Sequence, residues 1–152
     1  MLYLAALILG IVAGLRAATA LAAIAWAAYF GALQLTGTWA GFLGNIVTVI
    51  VLSLVAIGEY VGDLLPTTPS RKNVGPFAGR VIIGAVVGLV VGLPAGAEVL
   101  TAILGAIGAV IGTLGGYEAR RRLAQALGRD LPAAFIEDAV AIVVGLLAAF
   151  FA

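Results

Sequence analysis

Residues 2–35 read LYLAALILGIVAGLRAATALAAIAWAAYFGALQL, a run of apolar and small residues that contains a single charged side chain, Arg16. A continuous helix over this stretch would be about 50 Å long at ~1.5 Å per residue, whereas the hydrocarbon core of a bilayer is ~30 Å thick. The stretch must therefore tilt strongly, break, or lie partly on the membrane surface. We expect a break near residues 14–16, where the charge interrupts the run.

The rest of the chain is equally apolar. Of its 152 residues, 64% are hydrophobic and only 10% are charged, and the mean hydropathy is +1.23. Four further apolar blocks cover residues 42–64, 80–93, 97–117 and 133–152. The sequence predicts an all-α integral membrane protein with a single domain over residues 1–152. It would have four to five hydrophobic helical segments, at least one of them broken or re-entrant.

Block 80–93 is short for a membrane span, because a helix over it would reach only ~21 Å. Pro94 and Gly96 follow at once. We therefore expect blocks 80–93 and 97–117 to form a short or re-entrant hairpin that turns at residues 93–96.

Basic residues set the expected topology. They concentrate in the connections 65–79 and 118–131, while residues 34–41 carry no charge. The positive-inside rule then places both basic connections in the cytoplasm, as loops of a multi-pass protein of the inner (plasma) membrane. The simplest arrangement has the N-terminus inside and the C-terminus outside. The N-terminal run lacks a basic leader and is interpreted as a retained membrane segment.

Glycines repeat at intervals of four residues, a spacing that lets helix backbones approach closely in a membrane. The repeats are Gly10/Gly14, Gly58/Gly62, Gly84/Gly88/Gly92 and Gly108/Gly112/Gly116. They predict close internal packing of helices, and a seam between copies of the chain is the alternative. We expect a homo-oligomer, with a dimer favoured.

Residues 8–17 are similar to residues 110–119 in the order of their glycines and aliphatic residues. Under the topology above the two segments would run in opposite directions. Such inverted repeats are typical of transporters, with a site at their interface. Chance similarity between helices rich in glycine, alanine and leucine is the alternative interpretation.

Carboxylates inside apolar blocks are the candidate ligands of an ion. Glu59 and Asp63 lie four residues apart, share a helix face, and would repel each other without a proton, a cation or an arginine between them. The alternative places Asp63 in solvent and bonds Glu59 to Arg16 or to backbone. Glu137 and Asp138 lie near the start of the last block, where acids also complement a helix dipole. Arg16 is the natural counter-ion of Glu59 or Glu137.

A second candidate site binds phosphate or a lipid headgroup. Residues 66–76 are rich in proline, hydroxyl and basic side chains, and Ser70, Arg71 and Lys72 would make the contacts together with Arg120. Residues 120–129 are expected to form a short amphipathic helix on the anionic cytoplasmic leaflet. A rigid turn without a ligand is the alternative for residues 66–76.

Several chemistries are disfavoured. The chain has no cysteine and no histidine, which removes disulfides and the usual ligands of zinc, copper and haem. We predict no cofactor and no metal site. The net charge of +1 and the lack of a long basic run give no indication of nucleic-acid binding. Recognised nucleophile and phosphate-loop motifs are missing, so an enzyme is the less favoured class.

Several short motifs together resemble a family of small bacterial inner-membrane proteins known as a domain of unknown function. They are Gly14-Leu15-Arg16-Ala17, Glu59-x3-Asp63-x2-Pro66-x2-Pro69-Ser70-Arg71, Gly79-Arg80 and Glu137-Asp138. A lysine often follows the aspartate in that family, whereas Leu64 stands there in this chain. The resemblance implies a helical membrane fold with a site around these residues, and it implies no substrate.

The leading hypothesis is a small channel or secondary transporter with an internal acidic site for a proton or a cation. Two alternatives remain open. One is a protein that binds or flips lipids through phosphate headgroups. The other is a structural membrane partner without a ligand, in which the carboxylates serve only as ion-pair partners.

Overall fold

The structure is a computed structural model that describes residues 1–65 and 73–152. The described parts fold into six α-helices and contain no strand. The helices are α1 (Leu2–Leu15), α2 (Ala17–Tyr29), α3 (Ile46–Asp63), α4 (Val74–Gly92), α5 (Glu98–Leu127) and α6 (Asp130–Phe150). Short 3₁₀ helices cover Trp39–Gly44 and Leu93–Ala95. The predicted all-α fold is confirmed.

Four of the helices, α3 to α6, are long and apolar enough to cross a membrane. Helices α1 and α2 have 14 and 13 residues and would reach about 20 Å each. The chain therefore has the architecture of a multi-pass membrane protein in which two half-length helices are added to four full-length ones.

The long apolar stretch at the N-terminus breaks at Arg16, as its length predicts. The backbone of Arg16 is extended, with φ −145° and ψ 98°, between the end of α1 and the start of α2. The two half-helices then run back along each other. Leu2 at the start of α1 and Leu33 just after α2 line the same surface pocket at one end of the bundle. The first two helices are thus a re-entrant hairpin with Arg16 at its tip.

Contacts along the hairpin fix its direction in the bundle. On one side, Thr19 and Trp26 of α2 meet Tyr60 and Ser53 of α3, so that these two helices are antiparallel. On the other side, α1 packs most extensively on α5 and also contacts α4 and α6. The tip therefore lies between all four full-length helices, level with the last turns of α3 and the second turn of α4.

Glycines allow α1 to pack backbone against backbone with α5. A Cβ placed on Gly14 would lie 2.6 Å from the Thr113 backbone nitrogen, and one on Gly108 would lie 2.8 Å from that of Ile11. The stripe on α4 packs on α5 in the same way. These contacts are internal, as expected. The stripe of Gly58 and Gly62 on α3 differs, because nothing lies within 4 Å of a Cβ added at either position.

Helices α4 and α5 are longer than their apolar blocks, which corrects two expectations. The chain turns at residues 93–96 as expected. With helix α4 beginning at Val74, however, the segment up to Ala95 has 22 residues and is long enough to cross a membrane, so the expectation of a short or re-entrant hairpin is wrong. Helix α5 continues to Leu127 and ends at the left-handed Gly128, so residues 120–129 are not a separate surface helix. The apolar blocks end where charged residues begin, but helices α4 and α5 extend past those residues, because a helix can continue beyond the hydrocarbon core.

The hairpin adds no net crossing of the membrane. Two further expectations are therefore wrong, namely termini on opposite sides and an inverted repeat. Met1 and Phe151 line one pocket, so both termini lie at the same end of the bundle and not on opposite sides. The similar segments 8–17 and 110–119 belong to α1 and α5, which run side by side in the same direction. The two segments are therefore parallel neighbours and are not inverted relative to each other.

Candidate ion site at the hairpin tip

The tip of the hairpin carries a buried arginine that faces three carboxylates. Arg16 is 0% exposed, and its Nε donates a 2.6 Å hydrogen bond to Asp138 Oδ1. Its Nη1 lies 3.0 Å from Asp63 Oδ2 and its Nη2 lies 4.0 Å from Glu137 Oε2. Because an unpaired guanidinium is costly at membrane depth, these carboxylates are what allow Arg16 to occupy the tip.

A second arginine extends this cluster toward the surface. Arg120 on α5 contacts Asp63, and its Nη1 lies 3.5 Å from Glu137 Oε2. Its Nε and Nη2 donate to the two oxygens of Asp130, at 3.0 and 2.6 Å. Asp130 is 63% exposed, whereas Arg16 is fully buried. The charged side chains thus form a continuous path from the bundle surface to the tip.

One basic and one acidic side chain bind the backbone groups that the helix break leaves open at the tip. Arg80 Nη1 donates to the carbonyls of Gly14 (2.7 Å) and Leu15 (2.5 Å) at the end of α1. Glu59 accepts from the backbone N–H groups of Ala17 (3.1 Å) and Ala18 (2.9 Å) at the start of α2. Arg80 lies at the negative end of the α1 dipole and Glu59 at the positive end of the α2 dipole, so both interactions are favourable. Irregular backbone is tolerated at membrane depth only when it is satisfied in this way.

Hydroxyl groups complete the surroundings of the tip. Thr113 Oγ1 of α5 donates to the carbonyl of Ala109 (2.8 Å) and to that of Gly14 (3.3 Å). Arg16 lies over the ring of Tyr60, 5.5 Å from its centroid, in a cation–π arrangement. The Tyr60 hydroxyl is 2.6 Å from Thr19 Oγ1.

The hydrogen-bonding capacity of Arg16 is only partly used. A guanidinium has five N–H donors. Both Nη atoms of Arg16 are buried and lack a well-aligned hydrogen bond, although Asp63 and Glu137 lie close to them. The two Nη atoms are therefore held by charge attraction to Asp63 and Glu137 and not by aligned hydrogen bonds.

The structure separates the predicted pair of Glu59 and Asp63. Glu59 binds the backbone of α2, as one alternative had it, and Asp63 faces Arg16 and Arg120. Among the contacts of the described residues, Glu59 and Asp63 therefore have different partners. Glu137 lies beside Arg16 as expected, but Asp138 is the closer partner.

Sequence reasoning missed Tyr60 and Thr113, which shape the tip, and it named Arg80 only within the Gly79-Arg80 motif at the start of block 80–93. Arg80 lies in the second turn of α4 and reaches the hairpin. Tyr60 and Thr113 carried no distinguishing pattern. The positions of Tyr60 and Arg80 in the sequence could have indicated a role at the site, because Tyr60 directly follows Glu59 and Arg80 directly precedes an uninterrupted apolar run.

The proposed headgroup residues are placed only in part. Ser70, Arg71 and Lys72 lie outside the described residues. Arg120 is bound by carboxylates inside the bundle, whereas its neighbours Arg121 and Arg122 are exposed and pair with Glu118. Among the described residues, no group of three or more acidic side chains is arranged to hold a metal ion.

Together, fold and site define a multi-pass, all-helical membrane protein with a charged re-entrant hairpin. Comparisons of the chain with protein-family models, curated proteins and solved structures found no match. The resemblance carried by the short motifs remains a prediction.

Proposed function

We propose that this protein is a small channel or secondary transporter for a proton or a small cation. The ion site is formed by Asp63, Glu137 and Asp138, with Arg16 as their counter-charge. The observation that carries the proposal is the position of Arg16, fully buried at the break of a membrane-embedded hairpin and within 4.0 Å of all three carboxylates.

One carboxylate would be enough to neutralise Arg16 in a purely structural hairpin, whereas three lie within 4.0 Å of it. Ionisable groups inside a membrane domain are rare, and they commonly mark proton relays or ion pathways. Transporters likewise build their sites at breaks in membrane helices. The ends of α1 and α2 are already satisfied by Arg80 and Glu59. The three carboxylates around Arg16 therefore need an explanation beyond the capping of helix ends.

The arrangement of the carboxylates favours a proton over a metal cation. The three acids converge on arginine nitrogens, and a cation would have to displace Arg16 or Arg120 to reach them. A proton can move between carboxylates while the arginines stay in place. The exposed Asp130 then provides the exit toward the end of the bundle that carries Arg121 and Arg129, which we take as cytoplasmic by the positive-inside rule.

Flux in liposomes tests the proposal. Purified protein is reconstituted, a potassium diffusion potential is imposed, and proton entry is followed with an internal pH dye, with sodium and potassium fluxes measured in parallel. We expect Asp138→Asn and Glu137→Gln to reduce flux to that of protein-free liposomes. Glu118→Gln is the matched control, because Glu118 is exposed and pairs only with Arg121 and Arg122 among the contacts described. Wild-type flux of all three ions in both site variants would refute the proposal.

A further inference from the structure

Helix α3 is the least embedded of the four full-length helices. In its membrane-spanning window 11% of the residues are buried in the bundle, compared with 33% for α4 and 39% for α5 and α6. Its main packing partners among the described helices are α2 and the short 3₁₀ helix Trp39–Gly44, whereas α4, α5 and α6 each pack on α1. Elements with few buried apolar contacts are the ones that move at low cost in free energy.

Side chains near the end of α3 hold it to the other helices through charge. Asp63 contacts Arg16 of the hairpin and Arg120 of α5. One turn earlier, Glu59 accepts hydrogen bonds from the backbone at the start of α2 and lies 3.4 Å from a guanidinium nitrogen of Arg80 on α4. The position of α3 relative to α4 and α5 thus depends on ion pairs more than on apolar packing.

A half-open groove separates α3 from α6 on the outer face of the bundle. Ile57 of α3 lines one side of it, and Ile142 and Leu146 of α6 line the other. Ile57 is 53% exposed and Ile142 is 39% exposed, so the side chains that face each other across the groove are not packed tightly together. A tilt of α3 relative to α6 therefore separates few packed apolar side chains.

We propose that α3 is the moving element of the transport cycle and that Asp63 is the latch that holds it against the bundle. This inference rests on the proposed function. A proton that reaches Asp63 from the α6 carboxylates neutralises the group that Arg16 and Arg120 both attract. The end of α3 is then released, and the helix tilts about Glu59, which keeps its hydrogen bonds to the start of α2.

The charges around Asp63 suit such a latch because they come from three different elements. Arg16 belongs to the hairpin and Arg120 to α5. Both arginines also face α6, where Glu137 lies near each of them and Asp138 binds Arg16. A proton on Asp63 therefore weakens the hold of the hairpin and of α5 on α3 at the same time. Transporters alternate access largely by rocking one part of the bundle against the rest.

A reversible cross-link across the groove tests whether α3 must move. The chain has no cysteine, so Ile57→Cys with Ile142→Cys provides one thiol on each side of the groove. Bridging the two thiols with a bifunctional methanethiosulfonate should reduce flux to that of protein-free liposomes, and reduction should restore it. Leu4→Cys with Val144→Cys is the matched control, because these positions line a different groove, between α1 and α6. Cross-linking of the control pair leaves α3 free and should leave flux unchanged.

Distances between spin labels test the latch without relying on transport. Val61→Cys on α3 and Leu114→Cys on α5 place labels at positions that are 58% and 47% exposed. Asp63→Asn, which neutralises the latch, should lengthen and broaden the distance distribution measured by double electron–electron resonance. Ile82→Cys with Leu114→Cys is the control pair, because α4 and α5 pack closely through their glycines. Its distribution should be the same with and without Asp63→Asn, which also shows that the variant is folded.

The outcomes separate the two proposals. Full flux after cross-linking of Ile57→Cys with Ile142→Cys, with flux still abolished in Asp138→Asn, would overturn the moving helix and leave the ion site standing. An unchanged distance between the labels on α3 and α5 in Asp63→Asn would overturn the latch. Wild-type flux in both Asp138→Asn and Glu137→Gln would overturn the proposed function itself.

Discussion

Glu59 and Arg80 bind the two halves of one broken helix and also contact each other, with Glu59 Oε1 3.4 Å from Arg80 Nη2. Glu59 takes the free N–H groups at the start of α2, and Arg80 takes the free carbonyls at the end of α1. Because α3 and α4 supply these two residues, the hairpin tip is fastened to two full-length helices. We therefore expect the stability of the fold to depend on the hydrogen bonds that Glu59 and Arg80 make to the ends of α1 and α2.

Removal of the Glu59 carboxylate should destabilise the hairpin. Glu59→Ala leaves two backbone N–H groups without an acceptor, and each buried orphan donor costs about 1–3 kcal/mol. Glu59→Gln keeps one acceptor oxygen and should lose less. Thermal unfolding in detergent, followed by circular dichroism, measures the order Glu59→Ala below Glu59→Gln below wild type. A Glu59→Ala variant as stable as Glu118→Ala would contradict the capping role.

Arg16 should be costly to remove alone and cheaper to remove with a partner. Arg16→Met removes the arginine that pairs with Asp138 and one of the two described arginines beside Asp63 and Glu137, and breaking a buried ion pair by removing one partner costs about 3–5 kcal/mol. Adding Asp138→Asn to Arg16→Met should restore part of the loss. A double-mutant cycle on the free energy of unfolding measures this coupling. Strictly additive losses would mean that the two side chains do not interact.

The arginines of α5 should differ sharply in importance. Arg120 is 14% exposed and bridges Asp63, Glu137 and Asp130, whereas Arg122 is 76% exposed and pairs with Glu118. Arg120→Gln should cost about 3 kcal/mol, as for a buried pair that loses one partner. Arg122→Gln should cost less than about 1 kcal/mol, as is typical of surface pairs. Equal losses in the two variants would place Arg120 outside the buried cluster.

Glycine substitutions provide a test of backbone packing with a control in the same chain. A Cβ at Gly14 would press on the α5 backbone, whereas one at Gly62 meets nothing within 4 Å. Gly14→Ala should lower the free energy of unfolding by about 2 kcal/mol or more through overpacking. Gly62→Ala should be neutral or slightly stabilising, because alanine is the better helix former. The reverse order would contradict the parallel packing of α1 on α5.

The sequence predicts the helical membrane class and the break at Arg16 because both follow from length and charge. A run too long for one span must bend, and the single charge marks where. The return of the chain at Arg16 is not encoded in that local pattern. It depends on Glu59 and Arg80, which are far apart in sequence and satisfy the open backbone only after α3 and α4 have assembled around it.

The sequence identifies which charged residues belong to the site, but it does not specify which carboxylate pairs with which arginine. Arg16, Asp63, Glu137 and Asp138 stand out as charges in apolar surroundings, and the structure brings them together. Which carboxylate meets which arginine depends on helix rotation, which hydropathy does not specify. The spacing of Glu59 and Asp63 predicts a shared ligand, but it does not predict that Glu59 accepts hydrogen bonds from the backbone of α2.

The re-entrant hairpin is the central claim, and its most direct test is the sidedness of its two ends. The chain has no cysteine, so Tyr3→Cys in the first turn of α1 and Thr36→Cys beyond the end of α2 each provide a single thiol at an exposed position. Arg129→Cys provides one at the opposite end of the bundle. A membrane-impermeant maleimide is applied to sealed vesicles of known orientation. The account predicts that Tyr3→Cys and Thr36→Cys label from the same side and Arg129→Cys from the other. Labelling of Tyr3→Cys and Thr36→Cys from opposite sides would contradict it.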